Sequence, residues 1–288
     1  MNLFRLLTIA VLWSCVSIQP TLANNIPTVF VSILPQKYFV QQIAKERLNI
    51  QVMVKPGASP ATYEPSPSQM KALSISKLYF SIGVPFESKW LPKISALYPT
   101  LKITPTDQGI KKIPIHDHDH ENDNKGHHYI PDPHIWLSPP LVKIQIAQIF
   151  LSLKEIDPDN QQFYETNYRS FLSKIEKLNN ELHNMFIYCK HKSFMVFHPS
   201  WGYFAQSYGL QQIPIEIEGK DVKPWQLKEL ITQAKKNNIR VIFAQPQFSS
   251  KSANLIAREI GGQVFFIDPL ALDWENNLRN VALKIRNN

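Results

Sequence analysis

Short runs rich in β-branched and aromatic residues alternate with amphipathic segments, and this alternation limits the fold more than any other feature of the chain. TVFVSI (28–33), IQVMV (50–54) and KLYFSI (77–82) have strand character, with helical segments at 36–45 and 68–74 between them. Strands separated by helices require a parallel sheet with helical crossovers. A second series follows residue 190: SFMVF (193–197), QQIPI (211–215), RVIFA (240–244) and QVFFI (263–267). Helical stretches near 201–208, 225–237, 250–260 and 274–286 separate or follow them. The expected fold class is therefore α/β, with two lobes that each carry a mainly parallel sheet flanked by helices. At 288 residues and 44% hydrophobic composition, the chain is long enough to give both lobes real cores.

Between the two series, apolar residues recur at spacings of three and four from Phe163 and Tyr164 through Phe171, Ile175, Leu178 and Leu182 to Phe186. Neither Gly nor Pro follows Pro158 in this stretch, so it reads as one long, stiff helix of about seven turns. A bent pair of helices is the alternative. The expected organisation is a first lobe over 24–153, a linking helix over 154–190 and a second lobe over 191–288.

Residues 1–23 are set apart by a single early charge at Arg5, an uncharged apolar run over 6–18 and small residues up to Ala23. This is the pattern of a secretory signal peptide, so the expected location is periplasmic. The apolar run is shorter than the roughly 20 residues a spanning helix needs. A lipid anchor at Cys15 is the minor alternative. Cleavage after Ala23 would remove Cys15 and leave Cys189 as the only cysteine, so no internal disulfide could form. The formal charge of +8 is spread along the chain without a dense basic block, which argues for a solvated surface and against a nucleic-acid partner.

Six of the nine histidines fall within HDHDHENDNKGHHYIPDPHIWLSP, residues 116–139. His116, His118, His120, His127 and His128 sit among acids, amides, Lys and Gly with no apolar period, as in a surface loop. His134 follows in a more apolar setting. His134, His198 (at the end of FMVFH) and Asp268 (at the end of VFFID) lie where strand-like runs give way to loops, the usual position of ligands in open α/β sheets. Imidazole with carboxylate suits zinc or manganese.

The segments DPHIWLSP, VFHPSWGYFAQSYGL and IDPLALDWENNL, with PGASPATYEPSPSQ and IGVPFESKWL ahead of them, occur in one order along the chain. Together they resemble the zinc and manganese solute-binding proteins of ABC transporters, the ZnuA/TroA family. The resemblance implies a metal held between two α/β lobes by His134, His198 and Asp268. It implies delivery of Zn(II), with Mn(II) as a second possibility, to an ABC permease and its ATPase by a monomeric, non-enzymatic carrier. One position departs from the pattern: where the family has His in a PHTYEP type of segment, this chain has PATYEP, with Ala61 in the ligand place. A methyl group cannot coordinate a metal. The place could be filled by water, by Glu64, Glu216, Glu218 or Gln247, or by an imidazole of the 116–128 loop, which otherwise would collect metal as a weaker accessory site. Three further readings stay open: an exported zinc buffer that uses the histidine loop as its main site, a metal-binding surface adhesin, and a zinc hydrolase. The hydrolase has the weakest support, since neither an HExxH segment nor a GxSxG elbow is present.

Overall fold

The computed structural model describes residues 26–115, 130–189, 192–216 and 222–287. The leader over 1–23, including Cys15, and the histidines at 116, 118, 120, 127 and 128 lie outside the described residues, as does Glu218.

In the first lobe, β1 (Thr28–Val31), β2 (Asn49–Val52), β3 (Leu78–Ser81) and β4 (Lys102–Pro105) form a sheet in the order β2-β1-β3-β4. All three pairings are parallel. The crossovers are α1 (Leu34–Ala44), α2 (Pro67–Leu73) and α3 (Pro85–Leu97). Strand β3 is buried on both faces, as a central parallel strand between helical layers must be. Ser66 starts α2 with a capping box: its hydroxyl accepts from the Gln69 N–H, while the Gln69 side chain accepts from the Ser66 N–H.

The chain then passes through α4 (Pro139–Ile156), a short 3-10 turn at Pro158–Asn160 and α5 (Gln161–Phe186). The continuous linking helix thus occupies Gln161–Phe186, and residues 154–156 belong to the end of α4. Asp157 stops α4, and its carboxylate accepts from the Tyr164 hydroxyl (2.6 Å) and the Asn160 amide.

The second lobe repeats the first. Strands β5 (Ser193–Val196), β6 (Gln211–Pro214), β7 (Val241–Ala244) and β8 (Gln263–Phe266) pair in parallel in the order β6-β5-β7-β8. They alternate with α6 (Gly202–Ser207), α7 (Pro224–Lys236) and α8 (Lys251–Ile260), and α9 (Trp274–Arg286) ends the fold.

The lobes share one core. Buried residues of the first lobe, α4 and α5 are continuous with Phe194, Phe204, Phe243, Trp274, Leu278 and Ile285 from the second, and a smaller cluster around Met195, Ile213, Ile242 and Ile256 fills its outer side. Directional bonds cross the same seam. The Tyr38 hydroxyl donates to Glu275 (2.7 Å), Trp136 Nε1 to the Pro269 carbonyl (2.7 Å) and Trp274 Nε1 to the Trp136 carbonyl (2.7 Å). Trp136, Trp201 and Trp274 are buried in the core. Trp225 is not: it is 56% exposed, because it opens α7, a helix that fully buries only Ala234.

Candidate metal centre

In each sheet the strand order switches direction between two neighbours, β1 and β3 in the first and β5 and β7 in the second, and loops leaving the carboxyl ends of the strands bound a crevice. His198 lies two residues beyond β5, Gln247 three beyond β7 and Asp268 two beyond β8. His134 enters from the segment that connects the first sheet to α4, at the start of a 3-10 turn over Ile135–Leu137.

The two imidazoles come together, with ring centroids 5.2 Å apart and planes at 70°. Each is held from behind by a buried carboxylate. His134 Nδ1 is 2.7 Å from Asp132 Oδ1, which also accepts from the His134 backbone N–H at 2.8 Å. His198 Nδ1 is 2.5 Å from Glu216 Oε1. A carboxylate only accepts, so each Nδ1 carries the donated proton and each Nε2 keeps a lone pair. This is the carboxylate–histidine arrangement that fixes ring orientation and raises ligand basicity in metal sites. Burial pushes the His134 pKa below the ordinary imidazole value, against the opposing pull of Asp132, and so favours the neutral form that a metal needs. The His198 backbone is clamped by Gln245, whose Oε1 accepts from the His198 N–H (3.0 Å) and whose Nε2 donates to its carbonyl (2.7 Å). Its ring stacks on Phe248 at 4.7 Å.

His134 and His198 open into an interlobe cavity of about 100 Å³. Its other walls are mostly apolar, among them Ala61, Val84, Ile130, Trp136, Phe248 and Leu270, with Ser59 and Gln247 as polar exceptions. Ala61 does stand on the cavity wall, and it offers no donor.

Asp268 is placed differently. Its Oδ1 accepts from Gln247 Nε2 (2.9 Å) and from the Leu270 N–H (2.9 Å), and it borders an adjacent small cleft with Leu34, Lys55 and Gly57. Gln247, which lines the cavity of the two imidazoles, thus links the two clefts. Among the described residues, no three His, Cys, Asp or Glu side chains converge closely enough to hold an ion. Of the residues considered as replacements for the missing ligand, Glu64 is an exposed partner of Lys89 at 2.5 Å, and Glu216 is engaged with His198.

Sequence reasoning did not single out Asp132 or Gln245. The first had a visible signal in its place two residues before His134. The second had none, since its role depends on the pairing of β5 with β7.

A fold of two parallel sheets around a shared core, with two carboxylate-backed imidazoles in the crevice between them, can be matched to known proteins. The family described as "Zinc-uptake complex component A periplasmic", ZnuA, matches residues 29–287. The chain belongs to the ZnuA family. A solved structure of ZnuA superposes with a TM-score of 0.84 at 44% sequence identity, covering 91% of this chain and 98% of that one. The high-affinity zinc uptake system protein ZnuA of Bacillus subtilis is 28% identical over 253 residues, 84% of this chain and 78% of its own. The zinc-binding lipoprotein AdcA of Streptococcus pneumoniae strain R6 is 30% identical over 261 residues, and there the chain spans only 50% of the relative's length. As in the ZnuA fold, the long helix lies between the sheets. Among the described residues no helix is long and apolar enough to cross a membrane.

Proposed function

We propose that this protein captures Zn(II) in the interlobe cavity through Nε2 of His134 and His198, with Asp268 in the adjacent cleft, bonded to Gln247 of the cavity wall. It would then hand the ion to an ABC permease driven by its ATPase. The observation that carries this reading is the pair of imidazoles, 5.2 Å apart, each backed by a buried carboxylate and facing one cavity. Membership of a zinc-uptake family, and relatives named for zinc uptake and zinc binding, support the same cargo. Two imidazole nitrogens favour zinc over Mn(II), the second ion considered, by ligand softness. Asp132 and Glu216 are both occupied in holding imidazoles, which suits a binding role better than the general-base role a hydrolase would need.

The finer proposals are a monomeric carrier with lobe boundaries at 24–153, 154–190 and 191–288, exported by a leader over 1–23. His116, His118, His120, His127 and His128 would form an accessory metal-collecting site. A competitive zinc titration against a chromophoric chelator tests the assignment. The wild type and a variant lacking 116–128 should both show one tight site. His134→Ala and His198→Ala should each lose it. Tight binding that survives both substitutions but disappears with 116–128 would favour the zinc buffer.

A further inference from the structure

The two imidazoles supply two donors, and an ion in this cavity needs more. Ala61 and the apolar walls offer none, the Ser59 hydroxyl on the same wall accepts from the Ala61 N–H, and Asp268 borders the adjacent cleft, where it accepts from Gln247. We infer that Gln247 is itself a metal ligand, through its side-chain oxygen, and that the donor set comprises two imidazole nitrogens and this amide oxygen, with the Asp268 carboxylate behind the amide as its anchor. This rests on the assignment of the metal to His134 and His198.

Three observations support it. Gln247 lines the same cavity as His134 and His198. Its amide orientation is fixed by chemistry, because Asp268 Oδ1 at 2.9 Å only accepts and must face the NH₂ end. The oxygen end is therefore turned away from Asp268, and Gln247 Oε1 is buried with no hydrogen-bond partner among the described residues. A buried carbonyl oxygen left unpaired is costly, and such an oxygen beside two lone-pair-bearing imidazoles is satisfied by a cation. The N–H···carboxylate bond then does two things: it aims the oxygen, and it joins Asp268 to the site through a side chain that touches both. The amide oxygen takes over the function that a third imidazole would have had at position 61, and it replaces a nitrogen donor with a harder oxygen one.

The test uses the full-length mature protein with Zn(II) and, as a spectroscopic probe, Co(II). Gln247→Met keeps the length of the side chain and removes both polar ends, and Gln247→Glu keeps an oxygen in the same place. The expected result is a 10- to 100-fold weaker Zn(II) affinity and altered Co(II) d–d absorption in Gln247→Met, with binding retained in Gln247→Glu. The loss must persist when Gln247→Met is made in an Asp268→Ala background. A Gln247→Met protein with wild-type Zn(II) affinity and an unchanged Co(II) spectrum would overturn the inference. So would an effect that disappears once Asp268 is gone, since Gln247 would then act only by orienting the aspartate. Gln247→Ala, checked for native circular dichroism, guards against a packing fault specific to methionine. His134→Ala run alongside separates the levels: tight binding without His134 refutes the site itself, whereas an inert Gln247 with a damaging His134→Ala refutes only this inference.

Discussion

Asp132 and Glu216 show how much of the proposed site depends on side chains that stand behind the imidazoles. Each fixes one imidazole by its Nδ1 and so decides which nitrogen faces the cavity. Asp132→Asn or Glu216→Gln, which keep shape but lower ligand basicity, should each weaken Zn(II) binding by roughly 10- to 100-fold. Chelator competition would measure this, and unchanged affinity in both would mean that the rings are oriented by packing alone. A different buried carboxylate governs stability. Glu87 accepts from Ser32 Oγ and from the backbone N–H groups of Ile82 and Gly83, yet burial raises its pKa to about 7. The native carboxyl thus keeps its proton where the unfolded chain has released it. Its stabilising contribution is full below the unfolded value of 4.5 and is lost as pH rises to about 7. The swing is of order 3 kcal/mol. In metal-free protein, the urea midpoint of the wild type should therefore fall more steeply between pH 5 and 8 than that of Glu87→Gln. Parallel slopes would contradict the proposed burial effect. His198 and Asp268 stood out as candidates because each ends a strand-like run, and His134 because it closes the histidine-rich segment in a more apolar setting. Their supporting partners did not, because Glu216 approaches His198 only once β6 pairs with β5.

Among the elements, the strands that are β-branched and bounded by polar or Gly residues were readable to within one or two residues, from TVFV in β1 to QVFF in β8. The sequence reading missed β4, α3 and α4, for identifiable reasons. Strand β4 is an edge strand that begins with Lys102 and ends with Pro105, and neither residue suits a central strand. Helix α3 carries Pro92 in its interior, a residue that argues against helix. Helix α4 follows directly on the histidine and proline segment that drew attention to chemistry, although Val142, Ile146, Ile149 and Leu153 give it a clear buried face. Trp136 connects elements from both lobes, because its indole N–H reaches Pro269, next to Asp268, while its ring lies 5.1 Å from His134. Trp136→Phe removes the hydrogen bond and leaves the Pro269 carbonyl without this donor. The expected cost is about 1–3 kcal/mol by chemical denaturation. A cost near zero would mean that the seam is held by apolar packing without help from this bond.

On the scale of the whole molecule, α5, α9 and the shared core join the lobes into a single body, with the proposed metal crevice at the seam. The alternation of strands and helices conveyed the two-lobe plan, but not the extent of this fusion, because apolar periodicity cannot say which neighbour a buried face meets. A braced seam predicts that zinc enters and leaves through loop and side-chain shifts. Small-angle scattering of metal-free and zinc-loaded protein should then give radii of gyration within about 1 Å of each other. A clear contraction on loading would indicate hinge closure instead. The most direct test of the metal assignment is zinc K-edge X-ray absorption on the mature protein loaded with one equivalent of Zn(II), where outer-shell scattering counts the imidazoles. Two imidazoles, with oxygen donors completing a first shell at about 2.0–2.1 Å, would agree with His134 and His198 as the only nitrogen ligands. Three or more imidazoles would contradict it and bring at least one further histidine into the shell.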